Sequence, residues 1–355
     1  MLAKKLELSS FRSAEKEKIE FCDGINILLG DNAQGKTNAL EAVYLFAQGR
    51  SFRPSKEREF ISYGKETAVL KLDFFAENRE QFSEIRYGQK GKSVKKNGVS
   101  LRKLSEVIGA FRAVVFCPEP LTMIKNGPHE RRKFLDSAIS QLSFAYVGSL
   151  QRYYRVLEQK NKLLARSYEN RKEYDSTAPL WNMQLAKEAA FISQKRDEYV
   201  KKLNEEAKII FSALSNGKEI PEFRYNELRS EEEFSELFEK NTERDIRSGT
   251  TNGGIHKDDI EITLNGKSAR AFASQGQQRS LALAMKLSEA EISAEKTGEY
   301  PVLLLDDVLS ELDENRKNFV SREIKKGQVI ITACEKDAFC NSTANVINVS
   351  EGKYF

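Results

Sequence analysis

The spacing of hydrophobic positions changes along the chain and divides it into three stretches. Up to about residue 118 the apolar runs are short or alternating, which predicts strands with one helix among them. "GINILL" (24–29) is a short apolar strand that runs into a glycine-rich loop, and Leu40, Val43, Tyr44 and Ala47 then recur at helical spacing. "AVLKLDF" (68–74) alternates Leu70, Leu72 and Phe74 with Lys71 and Asp73, a half-buried strand. "VKKNGVS" (94–100) carries an Asn-Gly hairpin turn, and "AVVFCPE" (113–119) is a buried strand stopped by Pro118. From Pro128 to about Phe211 the period becomes helical, with an interruption expected near "YDSTAPL" (174–180). Heptads are not sustained, so a compact helical lobe is expected rather than a coiled-coil arm.

The pattern then returns to strands. "SEEEFSELFEK" (230–240) is a solvated helix face and "SGTTNGG" (248–254) a loop. "DIEITLNGKSARAF" (259–272) is a hairpin around Asn265-Gly266. A capped helix follows from "ASQGQQRS" (273–280), then apolar strands "PVLLLDD" (301–307) and "QVIITA" (328–333), and no internal repeat is visible. β-rich sequence at both ends flanks a helical insert, so the economical fold joins the two ends in one α/β domain with a parallel sheet.

Composition narrows this picture only a little. Hydrophobic residues at 40% and charged residues at 31% are ordinary for a soluble globular chain, and a net charge of +4 leaves the partner open. Cys22, Cys117, Cys334 and Cys340 are scattered, and the two histidines, His129 and His256, lie at no zinc spacing from them. Reduced thiols in a cytoplasm are expected. No signal peptide opens the chain and no apolar run approaches membrane-spanning length, so no membrane partner is expected.

"GDNAQGKT" (30–37) matches a phosphate loop and sits between a strand and a helix, where the chemistry needs it. Gly30 and Gly35 permit the tight wrap, and the backbone N–H groups from Asp31 through Asn32, Ala33 and Gln34 to Asn38 cradle phosphates. Lys36 reaches the β- and γ-phosphates, and the Thr37 hydroxyl binds magnesium. "PVLLLDDVLSELD" (301–313) supplies the other half: a buried strand ending in Asp306 puts a carboxylate beside that magnesium, and Asp307 polarises the attacking water. Alone, Asp306 and Asp307 also read as a helix cap. "ASQGQQRS" has two readings as well. Ser274 and Gln277 form a capping box that serves a core-facing helix, or, with Gly276, they open a second anion site.

The order of these parts resembles the ATP-binding cassette superfamily. Within it, the chain is similar to the RecF family of bacterial recombination mediators over essentially its full length. The matching blocks are "SSFRS" (9–13), "GDNAQGKTNALEAVY" (30–44), "GRSFR" (49–53), "FCPEPL" (116–121), "GPHERRKFLD" (127–136), "GIHKDDI" (254–260), "FASQGQQRSLALAMKL" (272–287), "LLLDDVLSELD" and "VIITA". The resemblance implies a cassette head with a phosphate-loop sheet and an antiparallel β subdomain, assigned to 1–120 and 248–355. A helical lobe at 121–247 is inserted between the phosphate loop and the signature motif. It implies that Lys36, Thr37 and Asp306 bind ATP and Mg2+, that Asn32 and Arg12 lie close to the phosphates, and that Ser274, Gly276 and Gln277 meet nucleotide held by a partner copy. Asp313 would sit between the two copies. The implied activity is a weak DNA-stimulated ATPase that dimerises on ATP, clamps duplex DNA at single-strand gaps and supports RecA loading with RecO and RecR.

Two loops depart from the family pattern, at Ser51-Phe52-Arg53 and Gly254-Ile255-His256-Lys257. Where transporter relatives carry a glutamate and a histidine, Asp307 and Thr332 are expected, which suggests slow hydrolysis. For DNA, "QKGKSVKKNGVSLRK" (89–103) holds six basic residues, among them Lys92, Lys95 and Lys96, and no acidic or aromatic one. It is either a solvated hairpin or a phosphate-contacting one. Arg131 and Arg132, near a helix start, are an exposed face or a second backbone contact. The competing functions are a transporter's nucleotide-binding subunit, a monomeric phosphotransferase, and an ATP-gated binding module in which hydrolysis is incidental.

Overall fold

The computed structural model describes residues 1–89, 91–117, 123–167, 171–215, 217–308, 314–334 and 344–355. The chain divides into two compact units. One comprises Met1–Thr122, Ile209–Lys218 and Arg279–Phe355, and the other Met123–Lys208 and Glu219–Gln278.

In the first unit, residues from both ends of the chain build one sheet. Its strands run in the order Lys353–Tyr354, Asn345–Ser350, Ile25–Leu29, Val329–Ala333, Val302–Leu305, Ala113–Phe116. All neighbours pair in parallel except the terminal hairpin. The N-terminal strand "INILL" thus lies between two strands from the last thirty or so residues, which places the phosphate loop beside the ends of both C-terminal strands. Gln328 staples the two ends. It is fully buried, and its amide donates to the carbonyls of Ala3 and Cys22 at 2.7 Å each while accepting from the Ala3 N–H.

A six-stranded antiparallel sheet runs in the order Ala14–Glu20, Leu2–Phe11, Thr67–Ala76, Arg79–Gly88, Gly91–Lys96, Val99–Leu101. Thr67–Ala76 shows the expected alternation, with Ala68, Leu70, Leu72, Phe74 and Ala76 inside. The turn at Asn97 and Gly98 has both φ angles positive (49° and 81°), as a type I′ hairpin requires. The helix Lys36–Gln48 packs on both sheets, and Leu40, Val43, Leu45 and Phe46 at 0% exposure weld them into one core. Each such side chain contributes about 1.5–3 kcal/mol of burial.

The second unit is helical, with Pro128–Leu142, Phe144–Arg166, Glu231–Lys240, Thr242–Ser248 and most of Arg171–Ser215. The expected interruption at 174–180 is absent. Arg171–Ser215 runs through Pro179, and the Ser176 and Thr177 hydroxyls turn back onto the Glu173 carbonyl instead of starting a turn. The stripe Tyr174, Ala178, Leu185 stays buried across it, so packing overrides the local signal.

The Asn265-Gly266 hairpin pairs with Pro221–Tyr225, a strand that the pattern did not reveal. That pairing draws 248–278 into the helical unit, so the boundary falls after Gln278 rather than at 248, and residues 209–218 belong to the head. Asp313 and Pro118 lie outside the described residues.

Candidate functional site

The phosphate loop is shaped by backbone conformations that its sequence permits. Gly35 caps the helix Lys36–Gln48 at φ 111°, Ala33 has φ 65°, and the helix start has neither a side-chain cap nor an acidic residue in its first turn. Its free N–H groups and positive dipole end therefore face the pocket. The terminal hairpin backs the loop. Tyr354 Oη donates to the Gly35 carbonyl at 2.9 Å, and the Gly352 N–H donates to the Gln34 carbonyl at 2.9 Å. Gly30 is required for close approach, because a Cβ there would stand 2.2 Å from the Val349 carbonyl oxygen.

Around the loop lies a pocket of about 170 Å³ lined by Asn32 to Asn38, Arg53, Asp306, Asp307, Thr332, Ala333 and Cys334. Lys36 is buried, and its ammonium donates to the Gly30 and Asp31 carbonyls and to Cys334 Sγ at 3.3 Å. The Thr37 hydroxyl donates to Asp306 Oδ1 at 2.8 Å, and the Thr332 hydroxyl donates to the same oxygen at 3.1 Å. Asp306 ends Val302–Leu305 and is buried, which raises its pKa above the ordinary value against the pull of those two hydroxyls. Asp307 is exposed in the left-handed region (φ 51°), and its N–H donates to Thr332 Oγ1. Backbone strain of this kind collects at functional sites.

These residues fit a triphosphate and magnesium. Thr37 and Asp306 offer hard oxygen donors side by side, the number a protein usually gives magnesium when phosphates and water complete the shell. Arg53 keeps a buried Nε–H with no partner among the described residues, a donor that suits an anion. No cluster of three His, Cys, Asp or Glu exists among the described residues, so a metal held by protein side chains alone is not built here.

One feature escaped the pattern, and two expected residues take other places. Glu41 on the phosphate-loop helix is 0% exposed and accepts from Arg12 Nε and Nη2 (3.0 and 2.8 Å), from Arg53 and from Ser51. Burial alone would raise its pKa, but the bonds from Arg12, Arg53 and Ser51 prevail and hold it below the ordinary value. Arg12 does not line the pocket; it reaches it through Glu41, which it shares with Arg53. Finally, Thr332 lies within Val329–Ala333 and braces Asp306, so the residue just past that strand is Cys334, whose Sγ also contacts Asn32 Oδ1.

At the start of the helix Gln275–Thr297, Ser274 and Gln277 form the expected capping box. The Ser274 N–H donates to Gln277 Oε1 at 2.7 Å, and the Gln277 N–H donates to Ser274 Oγ at 3.3 Å. Gln277 also donates to Glu219, and Ser274 and Gln275 are exposed. Ser274, Gly276 and Gln277 are absent from the lining of the phosphate pocket.

The basic candidates separate. Lys95 is exposed, Lys96 half-buried, and Lys92 pairs with Glu57. Arg131 is not a surface contact, which corrects the expectation. It is 4% exposed, holds Asp259 through Nε and Nη2, and gives Nη1 to the carbonyls of Met123, Ile124 and Asn126. Arg132 is half-buried and donates to the Asp258 carbonyl.

The departing loop at 254–257 is structural too. His256 bonds Tyr153 and the Thr251 carbonyl, and burial lowers its pKa to about 4. Asp258 receives the fully buried Arg196 and Tyr225, with its pKa raised by burial to about 6.

Residues 2–353 match the RecF/RecN/SMC N-terminal domain family. The chain is 40% identical to the DNA replication and repair protein RecF of Lachnoclostridium phytofermentans, covering 99% of both chains, and 38% identical, with the same coverage, to that of Clostridium acetobutylicum. It is similar to a solved structure of the recombination mediator protein RecF-ATPrS in the RecFOR pathway, with TM-score 0.92, 36% identity and coverage of 99% and 97%. An Smc head domain from Pyrococcus furiosus shares the fold at TM-score 0.59 and 20% identity, over 100% of this chain and 95% of the other.

Proposed function

The chain belongs to the RecF family, and from that premise we propose that it is an ATP-dependent DNA clamp. Two copies close on ATP, hold duplex DNA at single-strand gaps and let go after hydrolysis, supporting RecA loading with RecO and RecR in the cytoplasm. The carrying observation is the convergence of Lys36, Thr37, Asp306 and Asp307 on one pocket at the start of a helix. Its coarser content is established: the chain is an ATP-binding DNA replication and repair protein with a cassette ATPase head.

The residues divide the work as follows. The phosphate-loop N–H groups and Lys36 hold the β- and γ-phosphates, and in doing so Lys36 exchanges its loop carbonyls for phosphate oxygens. Thr37 and Asp306 would hold magnesium, which when bound would offset the charge of the phosphates. Asp307 orients the attacking water; its side chain is shorter than a glutamate's, which favours slow turnover and a timed release. Arg53, aligned by Glu41, faces the same phosphates. Ser274 and Gly276 open the helix Gln275–Thr297 toward solvent, where a partner's γ-phosphate is taken, so that nucleotide joins two copies. Lys95 and Lys96 contact the DNA backbone without reading sequence.

An ATP-gated module with incidental hydrolysis differs only in what Asp307 does. The test is the anisotropy of a fluorescent gapped duplex with ATP, with a non-hydrolysed analogue and with ADP, for wild type, Lys36→Ala and Asp307→Asn. Retention is expected with ATP and the analogue, loss with ADP and in Lys36→Ala, and prolonged retention on ATP in Asp307→Asn. Equal retention in every nucleotide state overturns the clamp. Unchanged release by Asp307→Asn reduces the protein to a gated binder.

A further inference from the structure

The helical unit contains a groove that the ATP chemistry does not use. It lies between Phe144–Arg166 and Arg171–Ser215, has a volume of about 450 Å³ and is faced mainly by apolar surface. Arg152, Arg155 and Val156 stand on one wall at helical spacing, and Trp181, Lys187 and Glu188 on the other. A groove of this size takes several large side chains.

Two independent features describe its occupant. Trp181 lines the groove together with Val156 and gives it an apolar wall. The charge is one-sided. Arg152 is tied to Glu188 at 2.6 Å, but Arg155 and Lys187 are exposed and enter no salt bridge among the described residues.

We infer that this groove docks an acidic segment of another polypeptide that inserts a bulky apolar side chain against Trp181. Carboxylates of the segment meet Arg155 and Lys187, and the apolar side chain lies in the groove against the Trp181 ring. Nucleic acid fits less well, because phosphates would satisfy the cations and leave the apolar walls wet. A second copy of this chain is also disfavoured. Its most acidic helix, Glu231–Lys240, already buries its apolar side, with Phe234 and Phe238 at 0% exposure.

Trp181 is the only tryptophan in the chain, so its emission reports on this groove directly. A random, tryptophan-free peptide display library is selected on the full-length protein, and the enriched peptides are titrated while Trp181 fluorescence is followed. Enrichment should combine acidic residues with phenylalanine or leucine, and binding should shift the emission. Arg155→Glu and Lys187→Glu, both at exposed positions, should each weaken affinity about tenfold with ATP affinity unchanged. Peptides without acidic residues, or peptides bound equally by both charge-reversed variants, overturn the proposal. So does an emission shift by a DNA duplex that the peptides fail to compete away. Self-association lost in Lys187→Glu would instead make the groove a contact between copies.

Discussion

Glu41→Gln tests how the pocket holds its cations. The carboxylate is fully buried, and its two oxygens accept four side-chain hydrogen bonds, two from Arg12, one from Arg53 and one from Ser51. Glutamine keeps the shape, removes the charge and turns one acceptor into an NH2 facing a guanidinium. Removing one partner of a buried ion pair costs about 3–5 kcal/mol. Here the Arg12 and Arg53 side chains are 18% and 33% exposed and partly rehydrate, so about 2–3 kcal/mol is expected.

Arg53 lines the pocket, so loosening it should also weaken ATP binding by about tenfold. Urea denaturation followed by circular dichroism reads the first effect and calorimetric ATP titration the second, with Glu41→Asp as a partial rescue. The pH dependence has a definite sign. A carboxyl held below its ordinary 4.5 adds stability that is complete above that value and lost as pH falls through the lower folded-state value. The variant should therefore show a flatter acid limb. Stability within about 0.5 kcal/mol of wild type, with unchanged ATP affinity, would refute the argument that Glu41 positions the two arginines.

Three further outcomes follow from the same geometry. Gly30→Ala puts a methyl 2.2 Å from the Val349 carbonyl oxygen, backbone that cannot yield cheaply; it should abolish ATP binding and lower thermal stability, and normal binding by calorimetry would contradict the contact. Burial raises the pKa of Asp306, so protons compete with magnesium at higher pH than at an ordinary aspartate; magnesium-dependent ATP affinity should fall on acidification and lose that dependence in Asp306→Asn. Replacing Lys95 and Lys96 with glutamine should weaken DNA binding equally across sequences and flatten the plot of log affinity against log salt by about two; an unchanged slope removes both from the DNA surface.

The head was legible because its determinants are local. A strand, a glycine loop and a helical repeat follow one another within 24–47, and "PVLLLDD" announces both a buried strand and its carboxylate. Pairing at long range was not legible. Pro221–Tyr225 finds Ile260–Leu264 some forty residues on, and the terminal hairpin that pins Gln34 and Gly35 is too short to carry a period. Glu41 looks like any polar residue in an amphipathic helix until Arg12 and Arg53 close on it. Arg131 misled for the opposite reason: near a helix start it reads as surface, yet Asp259, 128 positions later, buries it. The blocks "GPHERRKFLD" and "GIHKDDI" are in fact one structure, joined by Arg131–Asp259 and by Arg196 between Asp136 and Asp258.

We propose that the capped helix at Ser274 serves nucleotide held by a second copy. Sedimentation of wild type and Ser274→Arg, with and without ATP and magnesium, decides whether it does. Wild type should pass from monomer to dimer on ATP, and the arginine variant should bind ATP yet remain monomeric. A wild type that stays monomeric with ATP bound at high protein concentration, or a Ser274→Arg variant that dimerises normally, would contradict it.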